Sequence, residues 1–222
     1  MMLGFGSRPQ GNVVQPHQVA NIERQANDWE LVLRESHHRM KNTLTLLGAS
    51  VRREFTRSGS TDLSIAVDRF EGRLVAFGRL YQLLSDDSDC ERSVSPYFEF
   101  LCVALSQAIL EPAGICCEAA IEEGMLPGWM CQRVALMVTE LVTNAAKHAF
   151  PNRSGGMIRI HITCREGSWC CTVADNGTGV TGPLQGTGGR ILDGLARSMR
   201  AEVLGETSRS GTRVKIVVPV LD

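Results

Sequence analysis

No stretch of this sequence is long and apolar enough to cross a bilayer, which takes roughly 18 to 20 consecutive residues. The opening Met1-Met2-Leu3-Gly4-Phe5 also lacks a basic flank ahead of an apolar block. No membrane partner and a cytoplasmic location are the expectation. Nor is there an excess of charge of either sign. The 24 acidic and 23 basic side chains leave a formal net charge of −1, so no summed positive field draws the chain to a phosphate backbone, and nucleic-acid binding is not expected. Cys-x-x-Cys spacing is missing too, although eight cysteines are present. Cys116-Cys117 and Cys170-Cys171 are adjacent pairs, and the thiols read as reduced, mostly buried small hydrophobes rather than zinc ligands or a disulfide framework.

Residues 1–18 carry Gly, Pro, Gln and Ser without apolar periodicity, the composition of a flexible tail. From Val19 to Phe55 the apolar positions Ile22, Ala26, Trp29, Leu33, Met40, Leu44, Leu47 and Val51 mark one face of a long helix. After the turn Thr56-Arg57-Ser58-Gly59, a second helix with Ser60 or Thr61 as N-cap carries Leu63, Val67, Phe70, Leu74, Phe77, Tyr81 and Leu84 at alternating steps of four and three. The two form an antiparallel hairpin whose apolar stripe wants a partner. A second copy would complete a four-helix bundle; the alternative is packing on the C-terminal part of the same chain.

A polar break at 86–92 and a change of composition place a domain boundary near residue 90, giving a tail at 1–18, a helical domain at 19–90 and a second domain at 91–222. The second domain reads as a helix over 95–110, a strand over 115–121, and a helix opened by Pro127 that ends in the polar run 144–148. Strands are expected at 157–164 and 169–174, then a glycine-rich stretch, a helix over 190–199 and closing strands at 202–207 and 212–218. This order is α+β on an antiparallel-leaning sheet.

Three segments carry chemistry. In Glu35-Ser36-His37-His38-Arg39-Met40-Lys41-Asn42, helix geometry sends His37 into the apolar face and His38 onto the face of Arg34, Lys41, Asn42 and Thr45, where a ring nitrogen is reachable. In the second segment Glu140, Asn144, Lys147 and His148 fall at steps of four, three and one along one polar ridge. An amide oxygen beside a lysine suits Mg²⁺ and a polyphosphate, although a solvated helix face has the same pattern. In the third, Asp175-Asn176-Gly177-Thr178-Gly179 ends a strand with a carboxylate and two glycines, letting backbone approach a flat ligand; an Asp-Asn-Gly hairpin turn would look similar. Gly186-Thr187-Gly188-Gly189 then opens a helix whose N–H groups suit phosphates, or forms a loop.

In this order, the segments resemble the bacterial histidine kinases of the HWE and HisKA_2 type, with an ATP-binding part of the GHKL superfamily; the likeness runs from Leu31 to Pro219. The resemblance implies a helical hairpin that dimerises, followed by a GHKL-type α/β sandwich. It implies His38, directly before Arg-x-Lys-Asn, as the phosphoacceptor. Asn144 would be the Mg²⁺ ligand, Glu140 a second metal-side or base group, Lys147 and His148 neighbours of the phosphates, and Asp175 with Gly177 and Gly179 the adenine box. Gly186 and Gly188 would serve the phosphates, and Thr212 after Gly211 would help hold adenine.

The implied cofactors are ATP and Mg²⁺, and the implied partner is the receiver domain of a response regulator. The family shows Gly-Leu-Gly-Leu where this chain has Gly186-Thr187-Gly188-Gly189, and only residues 180–185 separate the two glycine boxes, so the lid over ATP is short. No sensory domain is expected ahead of the hairpin, which leaves signal input to a separate sensory partner, to the association state, or to nothing at all. Two rival readings stay open: a phosphotransfer relay through His38 with a degenerate ATP-binding domain, and a GHKL-type regulator that sequesters a partner.

Overall fold

A computed structural model describes residues 63–85, 90–151, 155–179 and 187–220. The tail, the first hairpin helix with His38, and the segment 180–186 with Gly186 lie outside the described residues.

The centre is a five-stranded sheet of order β2-β4-β5-β7-β6. Its strands are β2 (Ile115–Ile121), β4 (Gly156–Arg165), β5 (Ser168–Asp175), β6 (Glu202–Ser208) and β7 (Gly211–Pro219). Only β2 and β4 run parallel; the other pairs are antiparallel. Alternation explains which face is inside, since successive strand side chains point to opposite faces. Ile158, Ile160 and Ile162 of β4, Trp169, Cys171 and Val173 of β5, and Val214, Ile216 and Val218 of β7 are all buried on one face. Arg159, His161, Arg213 and Lys215 stand exposed between them on the other. The β4–β5 turn is Glu166-Gly167, both at positive φ (49° and 71°), as a two-residue hairpin requires.

Helix α1 (Leu63–Ser85) packs on α2 (Val94–Leu105) and α3 (Gly128–His148), and these two together with α4 (Thr187–Ser198) cover the apolar face. The helix expected over 95–110 stays regular only through Leu105, then widens into a π turn at Ser106–Leu110 and tightens into a 3₁₀ turn at Glu111–Ala113. Pro112 accounts for this, because it has no N–H and its ring clashes with the carbonyl four residues back. Two short strands were not expected. β1 (Glu91–Ser93) pairs antiparallel with β3 (Met125–Pro127) where the sequence shows only a polar break and a proline. Three residues are too few to display a period, so only the tertiary pairing reveals them.

The stripe on α1 divides between two surfaces. Ala76, Phe77, Leu80 and Leu84 are buried in the same core as the sheet and α3, with Phe70 partly buried beside them. Val67, Leu74 and Tyr81 lie on the flank, the last two more than half exposed (52% and 54%). Part of the stripe thus packs on the C-terminal part of the same chain, and Val67, Leu74 and Tyr81 stay exposed.

Candidate functional site

α3 is built as a buried rod with an open end. Every residue from Val134 to Thr143 is buried, as suits a helix wedged between a sheet and other helices. Glu140 is drawn into this interior (3% exposed), whereas Asn144 is half-buried and Lys147 and His148 are exposed in the last turn. The predicted ridge thus exists and runs from inside to outside. The Asn144 amide NH₂ donates to Glu140 Oε1 at 3.3 Å, and among the described residues no donor reaches its amide oxygen. Two cationic-capable side chains at a helix C-terminus also complement the negative end of its dipole.

The helix ends against the glycine turn. The Ala149 carbonyl accepts from the Thr178 N–H at 2.9 Å and from the Thr178 hydroxyl at 3.4 Å. Gly177 sits so close to Ala149 that a Cβ would collide with the Ala149 carbonyl and methyl group, so this contact requires glycine. Gly179 has φ of 70°, and a Cβ there would strike the Ser208 carbonyl of the β6–β7 hairpin. The turn is therefore clamped between the end of α3 and the β6–β7 corner.

Asp175 ends β5 and is half-buried. Its Oδ1 accepts from the Gly177 N–H at 2.8 Å, which fixes the carboxylate and leaves Oδ2 as an acceptor. The neighbouring Asn176 extends the ladder: its N–H donates to the Met157 carbonyl at 3.1 Å and its Oδ1 accepts from the Met157 N–H at 2.8 Å. Asp175 continues the inward-facing series 169, 171 and 173, and Thr212 continues the inward series 214, 216 and 218 on the adjacent strand β7. Both therefore lie on the helix-covered side. Gly211 packs against the Asp175 carbonyl so tightly that a Cβ would overlap it.

The structure thus brings Asn144, Lys147 and His148 at the end of α3 to the Asp175-Gly177-Gly179 turn, with Thr212 beside it. Gly188 lies within α4, in its first turn; Gly186 and His38 lie outside the described residues. The Ala149 carbonyl, which joins the two main motifs, was missed; a backbone group leaves no mark in a sequence. An open trough of about 590 Å³ on the outer sheet face, lined by Arg159, His161, Thr172, Arg213 and Lys215 among others, contains none of these residues.

Burial governs two of the thiols. It pushes Cys131 up to about 11 and Cys171 up to about 12 from an ordinary 9.0. Cys102 is raised first by a hydrogen bond shared with Cys117 and then by burial. Cys90 and Cys116 are exposed. Among the described residues no group of three or more His, Cys, Asp or Glu side chains is arranged to hold a metal, and no helix is long and apolar enough to cross a membrane.

Residues 35–109 match the family model described as "Histidine kinase", and residues 106–208 match the one described as "Histidine kinase-like ATPase domain". The chain belongs to the histidine kinases. It is 26% identical over 224 residues to blue-light-activated histidine kinase 2 of Erythrobacter litoralis, covering 95% of this chain and 61% of the relative. It is 24% identical over 165 residues to the sensor histidine kinase PdtaS of Mycobacterium tuberculosis, covering 73% of this chain and 33% of the relative. The chain thus spans about three fifths of one relative's length and a third of the other's. Its fold matches the solved histidine kinase domain of the E. litoralis EL346 blue-light activated kinase, with a TM-score of 0.56 at 24% identity, over 86% of this chain and 95% of that one. This histidine kinase is therefore an α+β protein whose ATPase-type sheet carries its helices on one face.

Proposed function

We propose that this histidine kinase binds ATP at the end of α3, phosphorylates His38 and passes the phosphoryl group to an aspartate of a response-regulator receiver domain. The convergence of three separate sequence boxes, Glu140–His148, Asp175–Gly179 and Gly211–Thr212, on one end of the sheet supports this most directly. Asp175, with Oδ1 held by its own turn, accepts from the adenine amino group, and Thr212 on the next strand closes the base pocket. Lys147 and His148 face the phosphates, with the N–H groups at Gly186 and Gly188 beside them, while Gly177 and Gly179 shape the turn that presents Asp175 to adenine.

The amide oxygen of Asn144, which has no protein donor among the described residues, fits a Mg²⁺ ion, which when bound would offset charge on the phosphate oxygens. Glu140 holds the Asn144 amide in place and orients the groups at the inner end of the ridge. The unprotonated ring nitrogen of His38 attacks the γ-phosphorus in line; the N–P bond forms as the bond to the β-phosphate oxygen breaks, and ADP leaves. Arg39 and Lys41 beside His38 stabilise the added negative charge.

A homodimer through the hairpin fits the exposed flank Val67, Leu74 and Tyr81 of α1. A cytoplasmic location completes the reading. The test is autophosphorylation with γ-labelled ATP and Mg²⁺. Acid-labile label in the wild type, lost in His38→Ala and in Asn144→Ala, is the expected result; label retained in His38→Ala sinks the acceptor assignment. One observation favours the relay reading, namely Gly186-Thr187-Gly188-Gly189 in place of the family's Gly-Leu-Gly-Leu. A wild type that takes no label from ATP but accepts it from a phosphorylated receiver domain would establish that reading.

A further inference from the structure

Two side chains of the nucleotide-binding body reach the last turn of α1. The Tyr97 hydroxyl, on α2, donates to the Leu83 carbonyl at 3.2 Å. The Gln132 side-chain amide, on α3, donates to the Leu84 carbonyl at 3.0 Å. Gln132 is 4% exposed and is one of only four buried polar or charged side chains among the described residues. The Tyr97 ring is held in turn by Phe98, edge-on at 5.2 Å between centroids, and by the Arg92 guanidinium at 5.7 Å.

The last four carbonyls of a helix have no donor within it, and water ordinarily serves them. Burying a glutamine for this purpose carries a desolvation cost that an apolar residue at 132 would avoid. What the polar pair adds is direction. Phe77, Leu80 and Leu84 hold α1 by apolar contact, which is non-directional and tolerates rolling or sliding. Consecutive carbonyls sit about 100° apart around a helix axis and about 1.5 Å apart along it, so two donors from two different helices fix both the roll and the axial position of α1.

We infer that Gln132 and Tyr97 are positioning residues. They set the pose in which α1 leaves the nucleotide-binding body, and through α1 they set where bound ATP is held relative to His38, which precedes α1 in the chain. This rests on the reading of His38 as acceptor. Asn144 follows Gln132 by twelve residues, about 18 Å along α3, so the pair acts through α1 and not by touching nucleotide. In-line transfer is sensitive to such placement, since a misplacement of about 1 Å costs on the order of 100-fold in rate.

The experiment uses the full chain with Gln132→Leu, Gln132→Glu and Tyr97→Phe. Three quantities are measured: binding of a non-hydrolysable ATP analogue with Mg²⁺, amide exchange in residues 80–85 against that in β4 and β5, and the autophosphorylation rate. In Gln132→Leu the analogue should bind within about 2-fold of wild type, exchange in 80–85 should rise about 10-fold with the sheet unchanged, and labelling should slow at least 10-fold. Gln132→Glu should label slowly at neutral pH and recover, relative to wild type, as the pH falls and its buried carboxyl takes up a proton to donate to Leu84. Gln132→Leu should show no such recovery.

Wild-type labelling in Gln132→Leu, or labelling and analogue binding lost together, overturns the inference. Should Gln132→Leu fail to fold, Tyr97→Phe removes a single oxygen and must show the same separation of binding from transfer. A wild type that takes no label defeats the kinase reading instead; unchanged exchange in 80–85 of the variants would then overturn the joint on its own.

Discussion

The two ends of α3 belong to one helix and face opposite demands. From Met130 to Thr143 nearly every residue is buried, against the sheet, α1, α2 and α4. From Asn144 onward the side chains emerge, and Lys147 and His148 are exposed. The buried part can change little without loosening the fold, whereas the open end is free to carry groups chosen for a ligand. Gln132 and Glu140, two of the four buried polar or charged side chains in this part, are each hydrogen-bonded to a group that the proposed function needs positioned.

Four measurements break or sharpen this contrast. The largest effect is expected from Leu136→Ala in the fully buried part, which should cost about 2–5 kcal/mol of stability in urea unfolding; a loss below 0.5 kcal/mol would mean that this part of α3 is not core. Next comes Asn144→Ala at the open end. It should lower autophosphorylation by about 100-fold, a difference of about 2.7 kcal/mol in barrier, while stability moves by about 0.5 kcal/mol or less. A large drop in stability would show that the two ends do not separate.

The third expected effect is in pH dependence. Burial raises Cys131 to about 11 from 9.0, so between these values the folded chain keeps a proton that the unfolded chain has lost. This thiol's contribution is fully present below about pH 9 and is lost as the pH rises toward 11. Unfolding midpoints should fall over that window, less steeply in Cys131→Ala; equal slopes would contradict the burial. The smallest effect belongs to Lys147→Met. Analogue affinity should weaken by about 10-fold, with a shallower dependence on salt, because an exposed charge acting on phosphates is screened. Unchanged affinity would remove Lys147 from the site.

Much of the sheet was legible. Residues 156–165 and 168–175 alternate apolar and polar side chains because one sheet face is buried and the other wet, and the strands were anticipated within two residues at each end. The strand at 115–121 was anticipated to the residue. The stripe on α1 was legible as a stripe but not as two surfaces, because a spacing of three and four describes a band of about 100° or more and does not say which edge meets which neighbour. The π turn at Ser106–Leu110 escaped notice for a related reason: its apolar residues satisfy the helical period whether the turn is regular or widened.

Thr212 on β7 came from the family resemblance alone, whereas the candidate residues on α3 and β5 could be chosen because their chemistry is carried by side-chain type and local spacing. What joins them is not of that kind. The Ala149 carbonyl under Thr178, the absent Cβ of Gly177 against Ala149, and the reach of Gln132 and Tyr97 to the end of α1 are contacts between segments distant in sequence, two of them made to backbone groups that every residue possesses. By itself, then, the sequence determined the longer elements, the buried face and the candidate residues for a nucleotide, since periodicity and side-chain chemistry are local properties. Tertiary structure alone decided that these residues meet at one end of the sheet and that α1 is held by its last two leucine carbonyls, since a backbone carbonyl acquires a partner only when the chain folds back upon it.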